Sequence, residues 1–166
     1  MSKILAIDPS TKSTGIAVFE DNKLVYVGCI QDEGSNVYTR IEKMVNGVRK
    51  IMIDYPDIKQ VYMEDVLPTD VGNNREIYKK LMYLQGFLCD LFNEYHITPT
   101  FIFPSEWRSK CGIHTGRGVK RDSLKNQDME FVRKVYGVDV NDDAADAVCI
   151  GHAVLKKETS GGFEFK

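Results

Sequence analysis

Residues 3–13 read Lys3-Ile4-Leu5-Ala6-Ile7-Asp8-Pro9-Ser10-Thr11-Lys12-Ser13. An unbroken apolar run closed by an acid and followed by a turn of proline and hydroxyl residues predicts a buried strand with Asp8 at its C-terminal end. Working outward, Gly15–Glu20 and Lys23–Ile30 are β-rich runs joined by Glu20-Asp21-Asn22, a hairpin signal, so the chain opens as an antiparallel meander. Ser35 or Asn36 then caps a helical pattern carrying Ile41, Met44, Val45, Val48, Ile51 and Met52 on one side and halted by Pro56. A helix in that position is a crossover, which predicts that the next strand, Gln60–Glu64, runs parallel to the first. That strand also ends in an acid.

Beyond it, Pro68–Asn74 is a loop, and Ile77, Leu81, Leu84, Leu88, Leu91 and Tyr95 form the apolar stripe of a long helix, buried in the core or against another helix or a second copy. Thr98–Phe103 reads as a further strand ended by Pro104, with Ser105 capping a short turn that carries Trp107 and Arg108. Lys120–Tyr136 is expected to be helical, with Leu124, Met129, Val132 and Val135 inside and Gly137 as its stop. A last helix runs from about Asp142 to Leu155, and 156–166, with Gly161-Gly162, reads as a flexible tail. The order β-β-β-α-β-α-β-α-α makes residues 1–155 an α/β domain, a mixed five-stranded sheet flanked by helices.

The 166 residues suit one domain, and 43% hydrophobic with 28% charged residues is ordinary for a soluble protein. No apolar run reaches membrane-spanning length and no export signal opens the chain, so a cytoplasmic protein is expected. Cys29, Cys89, Cys111 and Cys149 lack Cys-x-x-Cys spacing and read as reduced thiols. The formal net charge of −2 speaks mildly against nucleic acid, yet residues 105–125 set Arg108, Lys110, Arg117, Lys120, Arg121 and Lys125 against only Glu106 and Asp122. A solvated charge run or a phosphate-binding patch fits that excess.

The chemistry-bearing stretch is Asn141-Asp142-Asp143-Ala144-Ala145-Asp146-Ala147-Val148-Cys149-Ile150-Gly151. Asp143 and Asp146 lie three apart on one helix face, where like charges repel. One reading makes these acids caps at the positive end of the helix dipole, which suits Asp142 or Asp143 better than Asp146. The other places a cation between them, and hard oxygen ligands favour Mg²⁺ or Mn²⁺. Ligands of open α/β sheets gather at the C-terminal ends of parallel strands. Asp8, Glu64, Asp143 and Asp146 are therefore expected to converge from distant parts of the chain. Such a site suits two hard cations about 4 Å apart, serving an in-line phosphoryl displacement. His96, His114 and His152 have no zinc-site spacing; His96 reads as structural, and His114, in the glycine-rich loop 111–118, is a candidate phosphate contact.

Ile7-Asp8-Pro9-Ser10-Thr11-Lys12-Ser13-Thr14-Gly15, Tyr62-Met63-Glu64-Asp65, Leu84-Gln85-Gly86 and Asp143-Ala144-Ala145-Asp146-Ala147 together resemble RuvC-type Holliday junction resolvases of the ribonuclease H-like superfamily, in a phage or prophage version. The resemblance covers about residues 3–155 and implies a homodimer that nicks symmetric strands of four-way DNA junctions with two Mg²⁺ ions per site, Mn²⁺ substituting. It implies that Asp8, Glu64, Asp143 and Asp146 hold metal, and it selects Asp143 over Asp142, which becomes the helix cap. Arg108 and Lys120 fall near the family's basic residues at the scissile phosphate, with Lys120 as the catalytic charge partner. Lys12, Leu67, Arg75, Trp107, Arg108, Lys110, Arg117, Lys120, Arg121 and Lys125 make up the expected DNA-contacting set. Ser10 stands where the family has glycine, and Leu67 stands where many members carry an aromatic wedge; an apolar wedge also unstacks a base step.

Two alternatives compete. The first phosphate loop of actin-like ATPases and sugar kinases resembles 7–15, but those proteins need a second domain and nucleotide loop for which 166 residues leave no room. A non-catalytic junction-binding module is opposed by clustered acids facing phosphates.

Overall fold

The computed structural model describes residues 2–160, with side chains to residue 156. Strands β1 (Lys3–Asp8), β2 (Ser13–Glu20) and β3 (Lys23–Gln31) are followed by α1 (Val37–Asp54), β4 (Ile58–Glu64), α2 (Arg75–Glu94), β5 (Thr100–Ile102), α3 (Pro104–Lys110), α4 (Arg121–Tyr136) and α5 (Asp142–Ser160). The sheet order is β3-β2-β1-β4-β5. β1 pairs antiparallel with β2 and parallel with β4, so the α1 crossover does what the apolar pattern required.

Local chemistry explains the joints. Asp21 and Asn22 both adopt left-handed backbone, with φ of 47° and 66°, the geometry of a tight hairpin turn between paired Glu20 and Lys23. Asn36 caps α1 by accepting from the N–H groups of Tyr38 and Thr39. The final helix extends five residues past Leu155, to Ser160; residues 161–166 of the expected tail lie outside the described residues.

The sheet carries a core on each face. α1 and α2 cover one with Met44, Val48, Leu84, Leu88 and Phe92 against Leu5, Ile7, Ile16 and Val18. α5 covers the other, with Ala145, Ala147, Val148 and Ile150 against Ala6, Ala17 and Phe19. Small residues let α5 lie very close: a Cβ on Gly15 of β2 would fall 1.9 Å from the Asp143 carbonyl oxygen. Gly151 is as tightly held, 2.1 Å from the Phe19 ring by the same measure.

Two helical stripes are cut short. On α2, Leu84, Leu88 and Leu91 are buried, whereas Ile77 is 46% and Phe87 54% exposed. On α4, Val132 is buried and Val135 is half exposed, while the fully buried neighbour on that stripe is Asp128. Cys111 and Cys149 are buried, Cys29 and Cys89 partly so, and all are free thiols. Among the described residues no helix is long and apolar enough to cross a membrane.

Candidate active site

Because β1 and β4 run parallel and pair Ile7 with Met63, the next residues of each, Asp8 and Glu64, stand side by side at the same sheet end. Asp8 also pairs with Gly15, the glycine on which the first turn of α5 rests. That contact brings Asp143 to the same end, and Asp146 follows one turn later on the same helix.

The acids feel one another. Burial, then the carboxylates of Glu64 and Asp143, pushes Asp8 well above the usual carboxylate range, with Arg108 pulling the other way. Burial, then Asp8 and Asp128, does the same to Asp146. Glu64 is pushed up to about 7 by burial, offset in part by a hydrogen bond from Trp107 and by Arg108. Desolvated like charges of this kind mark candidate functional sites. One buried oxygen of Asp146, Oδ1, and both oxygens of Asp128 receive no hydrogen bond from an N–H or hydroxyl group among the described residues, and the two carboxyls are left to bond each other through a shared proton.

Unsatisfied hard oxygens and mutual repulsion fit a divalent cation of the Mg²⁺ or Mn²⁺ kind. Among the described residues, no three His, Cys, Asp or Glu side chains are already grouped tightly enough to hold one. The donor chemistry therefore fits the ions, while the carboxylates stand apart from a closed cage.

Several expected roles change. Asn141 caps α5, its Oδ1 accepting from the Ala144 N–H at 2.9 Å. Asp142 opens the helix but is not its cap; it pairs with Lys125. Burial alone would raise the Asp142 carboxyl, but the Lys125 hydrogen bond and the helix N–H groups outweigh it and hold it below the usual range. Lys125 is thus committed inside the protein, and Lys110 bonds Glu106 at 3.1 Å. Trp107 is fully buried and is not a surface residue open to DNA: its indole N–H donates to Glu64 Oε2 at 2.7 Å. Arg108 lies 4.5 Å above that ring, with Nε 3.9 Å from Asp128. Ser105 is not a cap, since α3 begins at Pro104 after Phe103.

Lys12, Arg75, Arg117, Lys120 and Arg121 are exposed, and among the described residues none forms an ion pair with the four acids. Lys120 precedes the first turn of α4. Leu67 is 45% exposed on the loop after β4, its N–H held by Asp70 at 2.7 Å. Ser10 shapes the turn after Asp8: its Oγ accepts from the N–H groups of Lys12 and Ser13, and its carbonyl accepts from Thr14 Oγ1 at 2.6 Å. His114 is exposed, its backbone clamped by Gln127.

Asp128 and Arg40 were not anticipated. Asp128 lies four residues after Leu124 and four before Val132, so an acid on an apolar stripe was the available signal. Buried Arg40 ties the loop after β1 to α1 by donating to the carbonyls of Thr11 and Gly34; nothing in its local sequence marks it.

A mixed sheet of this order, with acids at two parallel strand ends and on the helix across them, defines a RuvC-like fold. RuvC of T. thermophilus in complex with a Holliday junction substrate superposes with a TM-score of 0.76 at 14% identity, over 97% of both chains. T. thermophilus RuvC in a further structure gives 0.72 at 15%, covering 96% of each. The yeast mitochondrial Holliday junction resolvase Ydc2 gives 0.59 at 14%, covering 95% of this chain and 79% of that one. The chain itself belongs to the family described as Lactococcus phage M3 protein, DUF3882, whose model matches residues 1–155. No curated protein matches it by sequence.

Proposed function

We propose that this protein is a metal-dependent endonuclease that nicks branched DNA, with four-way junctions as the preferred substrate, and that it serves a phage or prophage. The observation that carries the reading is the convergence of Asp8, Glu64 and Asp146, each driven upward by burial and by its acidic neighbours, within a RuvC-like fold. The structural neighbour bound to a junction supports the substrate class.

In this reading Asp8, Glu64, Asp143 and Asp146 hold two Mg²⁺ ions, replaceable by Mn²⁺. When bound, such ions supply an activated water and stabilise the leaving oxygen of a phosphodiester. The protein's part is placement: parallel strand ends fix Asp8 and Glu64, and α5, seated on Gly15, fixes the two aspartates. Lys120 serves the charge on the scissile phosphate, and Arg117, Arg121, Lys12 and Arg75 hold the backbone of the arms. Leu67 is the wedge at the crossover. Ile77 and Phe87 on α2, together with Phe101 and Phe103 at the β5 edge, leave large apolar side chains in water, and this supports a homodimer.

Labelled four-way, three-way and linear DNA incubated with Mg²⁺, Mn²⁺ or chelator tests the proposal. Paired symmetric nicks on the four-way form are expected, with Asp146→Asn retaining junction binding and losing cleavage by about a thousandfold or more. Full nicking by that variant, or no cutting of any branched form by the parent, refutes it.

A further inference from the structure

Trp107 is the one tryptophan of the chain, and no part of its side chain reaches water. Its position follows from the sheet. Glu64 pairs with Ile102 of β5, and the Asp65 N–H donates to the Ile102 carbonyl at 2.9 Å, so β4 and β5 end together. α3 starts two residues after Ile102, and its first turn swings Trp107 back over the end of β4. The indole, a large apolar body with a single donor, spends that donor on Glu64 Oε2 at 2.7 Å. Among the described residues no other donor reaches the Glu64 carboxyl; Gln85 Nε2 bonds the Glu64 carbonyl, at 3.2 Å, and so fixes the backbone.

The indole is itself clamped. Its upper face carries the Arg108 guanidinium at 4.5 Å, and Arg108 faces the buried Asp128 on α4. A flexible glutamate, tied at the backbone by one helix and at a side-chain oxygen by another, loses the rotamer freedom that would let it swing away from the neighbouring acids.

We propose that Trp107 is a positioning residue for Glu64, orienting its carboxylate toward the metal side of the site, with Arg108 and Asp128 holding the indole in place. This rests on the metal-dependent reading of the four acids. Trp107 touches neither DNA nor metal and acts through Glu64 alone. The arrangement also makes the indole a reporter of what Glu64 binds.

The test uses the full chain labelled with ¹⁵N, whose single indole Nε1–H gives one resonance. In the parent protein the indole proton is expected downfield, as for a donor to a carboxylate, and it moves upfield in Glu64→Ala. Mg²⁺ shifts it in the parent and leaves it unmoved in Glu64→Ala. In parallel, Trp107→Phe keeps the ring's bulk but not its donor; Mn²⁺ affinity by calorimetry is expected to fall about 10- to 100-fold, and kcat on a junction falls while junction binding is retained.

An indole resonance indifferent to Glu64→Ala, or a folded Trp107→Phe with parental Mn²⁺ affinity and kcat, overturns the proposal. Should Trp107→Phe fail to fold, the resonance in Glu64→Ala decides alone. A parent protein that binds Mn²⁺ but cuts no branched DNA sinks the nuclease reading and leaves the positioning role standing. One that binds no Mn²⁺ sinks both.

Discussion

Raising the pH of the metal-free protein from about 5 to about 8 should unfold it more easily, because the acids of the site are buried and ionising them leaves desolvated charge, with neighbouring carboxylates adding to the cost. In the folded chain Glu64 releases its proton near 7, against 4.5 when free of the fold. A carboxyl raised in this way is best tolerated below its unfolded value, and stability is lost as pH climbs through the folded one. At about 1.4 kcal/mol per pH unit, this residue alone amounts to about 3 kcal/mol. For a chain of this length that corresponds to a fall in Tm of about 6–12 °C. Asp8 and Asp146 are raised for the same reasons and deepen the fall.

One group works against it. Burial lowers His152, so its contribution is lost as pH drops below about 6.5. The informative quantity is therefore the difference between the parent and Glu64→Gln, in which His152 cancels. Urea unfolding in chelator at stepped pH should show Glu64→Gln gaining on the parent by about 3 kcal/mol between pH 5 and 8, with Mg²⁺ removing the advantage. A parent curve that stays parallel to the variant's across that range refutes the idea that burial holds the Glu64 proton into the neutral range.

Gly15→Ala places a methyl on the backbone of Asp143 and should cost about 2–3 kcal/mol; by moving α5 against Asp8 it should also slow cleavage about a hundredfold, measured by thermal melts and single-turnover nicking. Lys120→Ala should reduce the salt slope of DNA binding by about 0.9 and weaken linear and branched DNA alike, read by titration at several ionic strengths. Under the proposed homodimer, the parent should sediment as a dimer and Phe87→Glu as a monomer, since the variant places a charge where α2 exposes an apolar ring.

The strand ends were legible because an apolar run interrupted by an acid has few explanations, and the crossover pattern of α1 set their direction. Asp8 and Glu64 therefore stood out before any coordinates, and the resemblance separated Asp143 from Asp142. What escaped the sequence depends on packing between segments far apart in the chain. Trp107 sits among charged neighbours in a segment too short for periodicity, so its burial follows only from where β5 ends beside β4. Asp128 was visible in principle as an acid on an apolar stripe, but its meaning requires Arg108 and Asp146. Ile77 and Val135 satisfy helical spacing and are nevertheless exposed: Ile77 lies in the first turn of α2, and α4, which carries Val135, packs on α5 rather than on the sheet.

The seating of α5 on β1 and β2 has a consequence for the order of events in the cell. Strands made early find their cover in a helix made much later, and two of the four acids travel on that helix. On a translating ribosome, the early part of the chain carries Asp8 and Glu64 with one sheet face still open and without Asp143 and Asp146. Under the proposed nuclease reading, the metal site stays incomplete until α5 has docked, so the growing chain is harmless to the DNA around it and synthesis itself acts as a safety catch.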